Sequence, residues 1–556
     1  MPHKNVIIPY EGTIKMGKAL KRKGDKNMKK MRKIFAVLLT LAMVLGMSMT
    51  SFAANSGTDK IFGTADDTAT ITVNGIDNET DIQVNAYKVV EAKYDGAGAT
   101  FSGYNSLYPA VITQDMVKAD LTTLSAEQLT SLANAVAADT TKTPIALTNT
   151  NGTTTWTADV AAGTYLVLVS NTEAHSYNPM VVSAYYVNKD GKTDISEGAV
   201  DLTTTEANAK KSDAPTIDKK ITNTNGNDYG NSVEVNDIVN YEVTVTPIPS
   251  YIGSYPVFNV EDTLSNGLDF VTDKDGNVVD PVVKVGTTTL TKDRDYTVSV
   301  TGRIMTINFV VNDAYKLNAY ASQSLTITYS AKVNNSAVLW KDVNTNTAKL
   351  NYTNDSKVDG NNASAQKTTY TYTFDIGGEA TGTNGIITKT GKDKNHETPL
   401  DGAVFGLYKA GDGVNADTVA TAADNAAYKT ATSDTNGQIH FSQLKKGTYY
   451  LKELSAPEGY SVNTHVYTVV IDTTHKTDGT LASWSVTIDN NKTSTFTLNN
   501  EGKWESQKNQ TYIVNTTLSS LPSTGGIGTT IFTIAGCVIM IAAAGLFFAS
   551  RKKTNK

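Results

Sequence analysis

Phe258-Asn-Val-Glu-Asp-Thr-Leu264 reads as a β-strand in which every second residue is apolar, with one exception. Side chains alternate across a strand, so Phe258, Val260 and Leu264 share a face with Asp262. If that face meets a core, a carboxyl group is buried in it. Upstream, Ala214-Pro-Thr-Ile-Asp-Lys-Lys-Ile221 places Lys219 on a face with Ile217 and Ile221, while Lys220 points the other way. Downstream, Thr345-Asn-Thr-Ala-Lys-Leu-Asn-Tyr352 places Asn346 with Ala348, Leu350 and Tyr352, and Asn354 continues that face as the alternative carboxamide. The alternation predicts a β-sandwich with an amine, a carboxyl and a carboxamide on its inner side.

Burying a charge costs several kcal/mol unless it is paired or neutralised. Burial lowers the pKa of an amine and raises that of a carboxyl. A neutral lysine is a nucleophile, and a protonated carboxyl can polarise an amide. Attack of the amine on the asparagine side chain, with loss of ammonia, would leave a covalent Lys–Asn isopeptide bond. The arrangement recurs further on. Ile386-Ile-Thr-Lys-Thr390 places Lys389 with Ile387, and Gly447-Thr-Tyr-Tyr-Leu-Lys-Glu-Leu-Ser-Ala-Pro-Glu-Gly-Tyr460 places Glu453 with Tyr449 and Leu451. Tyr512-Ile-Val-Asn515 places Asn515 with Ile513.

The two ends say where such a chain goes. A basic region that includes Lys29, Lys30, Arg32 and Lys33 precedes the apolar run Ile34–Leu45 and the small-residue site Ser51-Phe-Ala-Ala54. This order is that of a secretory signal peptide over residues 1–53, with Met28 as an alternative start. Near the other end stands Leu521-Pro-Ser-Thr-Gly-Gly526, then an uncharged stretch over 527–550, then Arg551, Lys552, Lys553 and Lys556. The stretch is long enough to span a bilayer, and the basic tail holds its end in the cytoplasm. Leu521, Pro522, Ser523, Thr524 and Gly525 with the anchor and tail resemble a sortase sorting signal, in which the enzyme's cysteine attacks the Thr524 carbonyl and Gly525 leaves.

Between the ends the composition favours strands and turns, with few prolines. The net charge of −6 gives no basis for nucleic-acid binding. The one cysteine, Cys537, falls in the expected span, so no disulfide staples this exported chain. The six histidines show no metal-ligand spacing, and neither a P-loop nor a nucleophile elbow is present, so no metal, cofactor or turnover enzyme is expected. Three domains are expected, at 54–211, 212–376 and 386–516, followed by the sorting signal at 521–556. The first shows strand patterns at Ala69–Ile76, Ile82–Val90, Gly163–Val169 and Pro179–Val187, and a helix over Ser125–Asp139 capped by Ser125. In the second, Val233–Pro247 reads as two strands, 359–363 as loop, and Thr368–Ile376 as the closing strand; 377–385 reads as linker.

Tyr450-Leu-Lys-Glu-Leu-Ser-Ala-Pro-Glu-Gly-Tyr460 resembles the E-box of Gram-positive pilins, in a domain similar to collagen-adhesin B-type (Cna-B) repeats. Val260-Glu-Asp-Thr-Leu264 with Asn346-Thr-Ala348 resembles the isopeptide-forming middle domain of pilins. From about residue 28 onward the chain is similar to LPXTG-anchored major backbone pilins. The resemblance implies an all-β architecture of tandem immunoglobulin-like sandwiches, and bonds Lys219–Asn346, promoted by Asp262, and Lys389–Asn515, promoted by Glu453. It also implies an intersubunit lysine at the first domain junction. Ala209-Lys-Lys-Ser-Asp-Ala-Pro215 lacks the family's Tyr-Pro-Lys context; Lys211 is the expected acceptor and Lys210 the alternative. Lys88 in the first domain is a candidate by position only. The implied partners are pilus-specific and housekeeping sortases, identical subunits, peptidoglycan, minor pilins and host surface ligands, on an extracellular pilus at the cell wall. A monomeric wall-anchored adhesin and a minor pilin are the alternative functions.

Overall fold

The computed structural model describes residues 63–96, 100–118, 124–149, 152–170, 172, 174–193, 201–224, 227–251, 256–353, 362–377, 386–393, 396–490, 492–517 and 527–553. The expected signal peptide, the 521–525 motif and Asn354 lie outside the described residues.

In the middle domain, Ile238–Thr246 buries Val239, Tyr241, Val243 and Val245 and turns the residues between them outward. Facing strands do the same, and two six-stranded sheets close on a shared core. One sheet includes Thr216–Ile221, Ile238–Thr246 and Leu325–Val333; the other includes Asn362–Tyr372, Asn344–Thr353, Phe258–Leu264 and Ile304–Asn308. Two expectations are corrected here. The Val233–Pro247 segment holds one strand, Ile238–Thr246, and the strand before it is Gly230–Ser232. The closing strand runs Asn362–Tyr372 and so starts inside the stretch read as loop, because Asn344–Thr353 offers its backbone a partner as far as Thr353 opposite Asn362.

Past Tyr372 the chain enters the core of the third domain. Phe374 and Ile376 are buried there together with Trp340, whose ring lies 5.2 Å from that of Trp484 and 5.1 Å from that of Phe496. Ile376, expected to end a strand of the middle domain, therefore belongs to the next core. The third domain sets a three-stranded sheet, His396–Pro399, Ile387–Asp393 and Thr511–Thr516, against a seven-stranded one that includes Val404–Lys409 and Gly447–Ser455.

The first domain packs a four-stranded against a six-stranded sheet. Its main helix, Ala126–Ala138, is capped as expected: Ser125 Oγ accepts from Gln128 N, and Gln128 Oε1 accepts from Ser125 N, which satisfies two otherwise orphan amides. Lys211–Asp213 pairs antiparallel with His175–Tyr177, so first-domain pairing continues to Asp213, past the expected boundary at 211. After the third domain a helix over Ile527–Lys553 covers the expected span and is long and apolar enough to cross a bilayer.

Candidate functional site

Each expected lysine set converges, but by different routes. In the middle domain Lys219 projects from one sheet, and Asp262 and Asn346 project from the other. Asp262 lies opposite Ala348 and Leu264 opposite Asn346, which makes the carboxyl and carboxamide diagonal neighbours on the core face. Lys219, Asp262 and Asn346 are each 0% exposed. Lys219 Nζ donates to Asp262 Oδ2, and to Tyr329 Oη at 2.6 Å. The Tyr329 hydroxyl donates to Asp262 Oδ2 and accepts from Asn346 Nδ2 at 3.0 Å. The lysine nitrogen lies 5.0 Å from the ring centre of Tyr241 and 5.3 Å from that of Tyr329. Burial pushes its pKa down to about 8, against the opposing pull of Asp262. Lys220 turns outward and pairs with Asp228 at 3.5 Å, as the alternation requires.

In the third domain Lys389 and Asn515 stand on neighbouring parallel strands, with Lys389 opposite Ile513 and Gly391 opposite Asn515. Glu453 reaches them from the facing sheet. Its Oε1 accepts from Asn515 Nδ2 at 2.7 Å, and its Oε2 accepts from the Asn463 amide at 2.8 Å and lies 3.7 Å from Lys389 Nζ. Lys389 Nζ donates to the Ile513 carbonyl at 3.0 Å. Burial again lowers the lysine pKa to about 8, with Glu453 opposing. Gly437, at φ +71°, backs the Lys389 strand so closely that a Cβ there would lie 2.2 Å from the Lys389 carbonyl oxygen. A buried amine beside a carboxyl and a carboxamide can form an amide and release ammonia.

Lys211 is partly exposed, and its ammonium bonds both Asp77 oxygens, at 2.9 and 2.8 Å. His175, isolated in the sequence, joins them: Nδ1 is 2.8 Å from Asp77 Oδ2 and Nε2 is 3.2 Å from Asp213 Oδ1. Asp77, Glu79 and His175 lie close enough to share an ion, and the Lys211 ammonium occupies the Asp77 carboxylate. Lys211 holds the Asp77 carboxyl below its usual range. Lys210 is half-buried, and burial draws its pKa down. Lys88 lies 5.6 Å from the Tyr165 ring centre, with its pKa lowered by burial.

Sequence reasoning missed Tyr329, Asp77 and His175. The signal for Tyr329 was present, since Leu325-Thr-Ile-Thr-Tyr329 alternates and puts the tyrosine on the apolar face. For Asp77 and His175 only tertiary folding brings the residues together.

Four family models match in chain order: the T6 antigen Ig-like domain at 66–216, the Gram-positive pilin backbone subunit 2, Cna-B-like domain at 235–356, a prealbumin-like fold domain at 385–481, and the LPXTG cell wall anchor motif at 513–556. The trypsin-resistant surface T6 protein of Streptococcus pyogenes serotype M6 is 26% identical over an alignment covering 93% of this chain and 99% of that one. The solved T6 backbone pilin of serotype M6 Streptococcus pyogenes superposes with a TM-score of 0.53 at 22% identity, over 82% of this chain and 99% of that one. The full-length major pilin SpaD of Corynebacterium diphtheriae gives a TM-score of 0.42 at 17% identity, over 83% and 100%. With its sandwich domains and the anchor matched in this order, the chain carries a Gram-positive pilin backbone domain and an LPXTG wall anchor and is similar along most of its length to a streptococcal T6 surface protein.

Proposed function

We propose that this chain is the repeating subunit of a covalent pilus shaft, locked internally by two Lys–Asn bonds. The protein is a wall-anchored surface pilin, and its apolar helix fits a transient membrane hold before sorting. In the proposed assembly a sortase cleaves between Thr524 and Gly525, and the acyl group passes to Lys211 of the next subunit, with Lys210 as the alternative acceptor. The last subunit is transferred to peptidoglycan.

The observation that carries the reading is the pair of fully buried lysines, each meeting a carboxylate beside an asparagine. A globular domain gains little from a lone buried ion pair, because desolvation offsets the attraction. A cross-link consumes the charge and removes that cost. For the shaft itself, wall extracts should show a high-mass ladder. Lys211→Ala should abolish the ladder and leave monomer on the wall, whereas Thr524→Ala should abolish both. A full ladder in Lys211→Arg transfers the role to Lys210 or another lysine. A single band from the unaltered protein means a monomeric adhesin.

A further inference from the structure

The middle site differs from the third-domain site in one respect that its proposed chemistry can use. Three groups, the Lys219 amine, the Asp262 carboxylate and the Asn346 carboxamide nitrogen, meet at the single hydroxyl of Tyr329. Asp262 Oδ1 and Asn346 Oδ1 are buried acceptors with no hydrogen-bond donor among the described residues. A proton placed on Asp262 would supply one. The hydroxyl touches both the amine that must lose protons and the nitrogen that must gain them.

Resting on the cross-linking reading above, we propose that Tyr329 is a catalytic residue of the middle site, its hydroxyl relaying a proton from the attacking Lys219 nitrogen to the departing Asn346 nitrogen. The Lys219 ammonium starts with three protons. One passes directly to Asp262 Oδ2, to which the amine already donates, freeing the amine to attack Asn346 Cγ. A second moves across the Tyr329 hydroxyl from the attacking nitrogen to Nδ2. The Cγ–Nδ2 bond breaks, the new amide keeps one N–H, and ammonia leaves as ammonium with the proton held on Asp262. Atoms and charge balance, and the tyrosine is regenerated. Among the described residues no hydroxyl bridges the third-domain groups in this way; there Glu453 contacts the carboxamide itself and Lys389 rests on a backbone carbonyl.

The test follows ammonia loss by intact mass in freshly refolded mature ectodomain. Unaltered protein should lose two ammonias; retention of both overturns the cross-linking reading itself. Tyr329→Phe should lose the third-domain ammonia at the normal rate and the middle-domain ammonia at least tenfold more slowly. Equal rates in Tyr329→Phe overturn the relay alone. Replacing Tyr329 by 3-fluorotyrosine, which keeps the ring's packing and makes the phenol more acidic, covers the case in which Tyr329→Phe fails to fold. A relay predicts that the pH profile of middle-domain conversion moves to lower pH while that of the third domain stays. An unchanged middle-domain profile means that the hydroxyl only packs.

Discussion

The two lysine sites contain the same three functional groups and place them on opposite kinds of scaffold. In the middle domain the lysine stands on one sheet and its carboxamide on the other, so a bond would join the two layers of the sandwich. In the third domain the lysine and carboxamide stand on adjacent parallel strands already joined by a ladder, and only the glutamate comes from across the core. A cross-link between sheets opposes their separation, which packing alone otherwise resists. A cross-link beside a ladder opposes sliding of the first strand past the last, which backbone hydrogen bonds also resist. The difference teaches that local sequence pattern specifies which groups face the core while topology specifies what a bond between them would restrain.

The largest expected effect separates the sites most directly. Asp262→Ala and Glu453→Ala should each retain one ammonia and lose a link closing a loop of more than ~100 residues, worth about 5 kcal/mol in the chain-entropy model, with the buried lysine's unpaired charge adding to the loss. Calorimetry should show the greater melting decrease for the middle domain, because the third domain keeps its ladder between Ile387–Asp393 and Thr511–Thr516. Equal decreases would break the comparison.

Next comes pH. In Asn346→Ala and Asn515→Ala no bond can form, and each lysine stays titratable with a folded pKa of about 8, below an unfolded value of about 10.4. Between those values the unfolded chain binds more protons, so stability should rise from about pH 8 to about pH 10.4 and be flat below that window. The unaltered protein, whose lysines would be amides, should show no such rise. Denaturant midpoints across this range decide it, and flat profiles in both variants would contradict the lowered lysine pKa values.

A third effect should be confined to one site. Gly437→Ala drives a methyl into the Lys389 carbonyl and adds strain at φ +71°. It should cost about 1–3 kcal/mol and slow ammonia loss from the third domain only; a matching delay in the middle domain would mean that the two sites are coupled. The smallest effect is a control: Lys220→Ala, next in sequence to Lys219 but outward-facing, should leave mass and melting unchanged. Retention of an ammonia there would reverse the facing assigned to this strand.

The alternation at Ile217–Ile221, Phe258–Leu264 and Asn346–Tyr352 by itself determined which residues face the core, since a strand has only two faces and an apolar set on one of them selects it. All six residues of the two sets are buried as that rule requires. The same rule placed Lys220 outside and the Ser125 cap followed from local helix chemistry. Only the tertiary structure decided which faces meet. Tyr329 entered the middle site because its strand lies two places from that of Lys219 in the sheet, with Tyr241 opposite Tyr329 between them. Asp77 and His175 reached Lys211 because Lys211–Asp213 pairs back onto the first domain, and Ile376 joined the third-domain core because the chain passes directly from one sandwich into the next. Period and propensity are properties of a few consecutive residues; pairing between strands far apart in the chain is set by the packing of the whole domain, which no short stretch encodes.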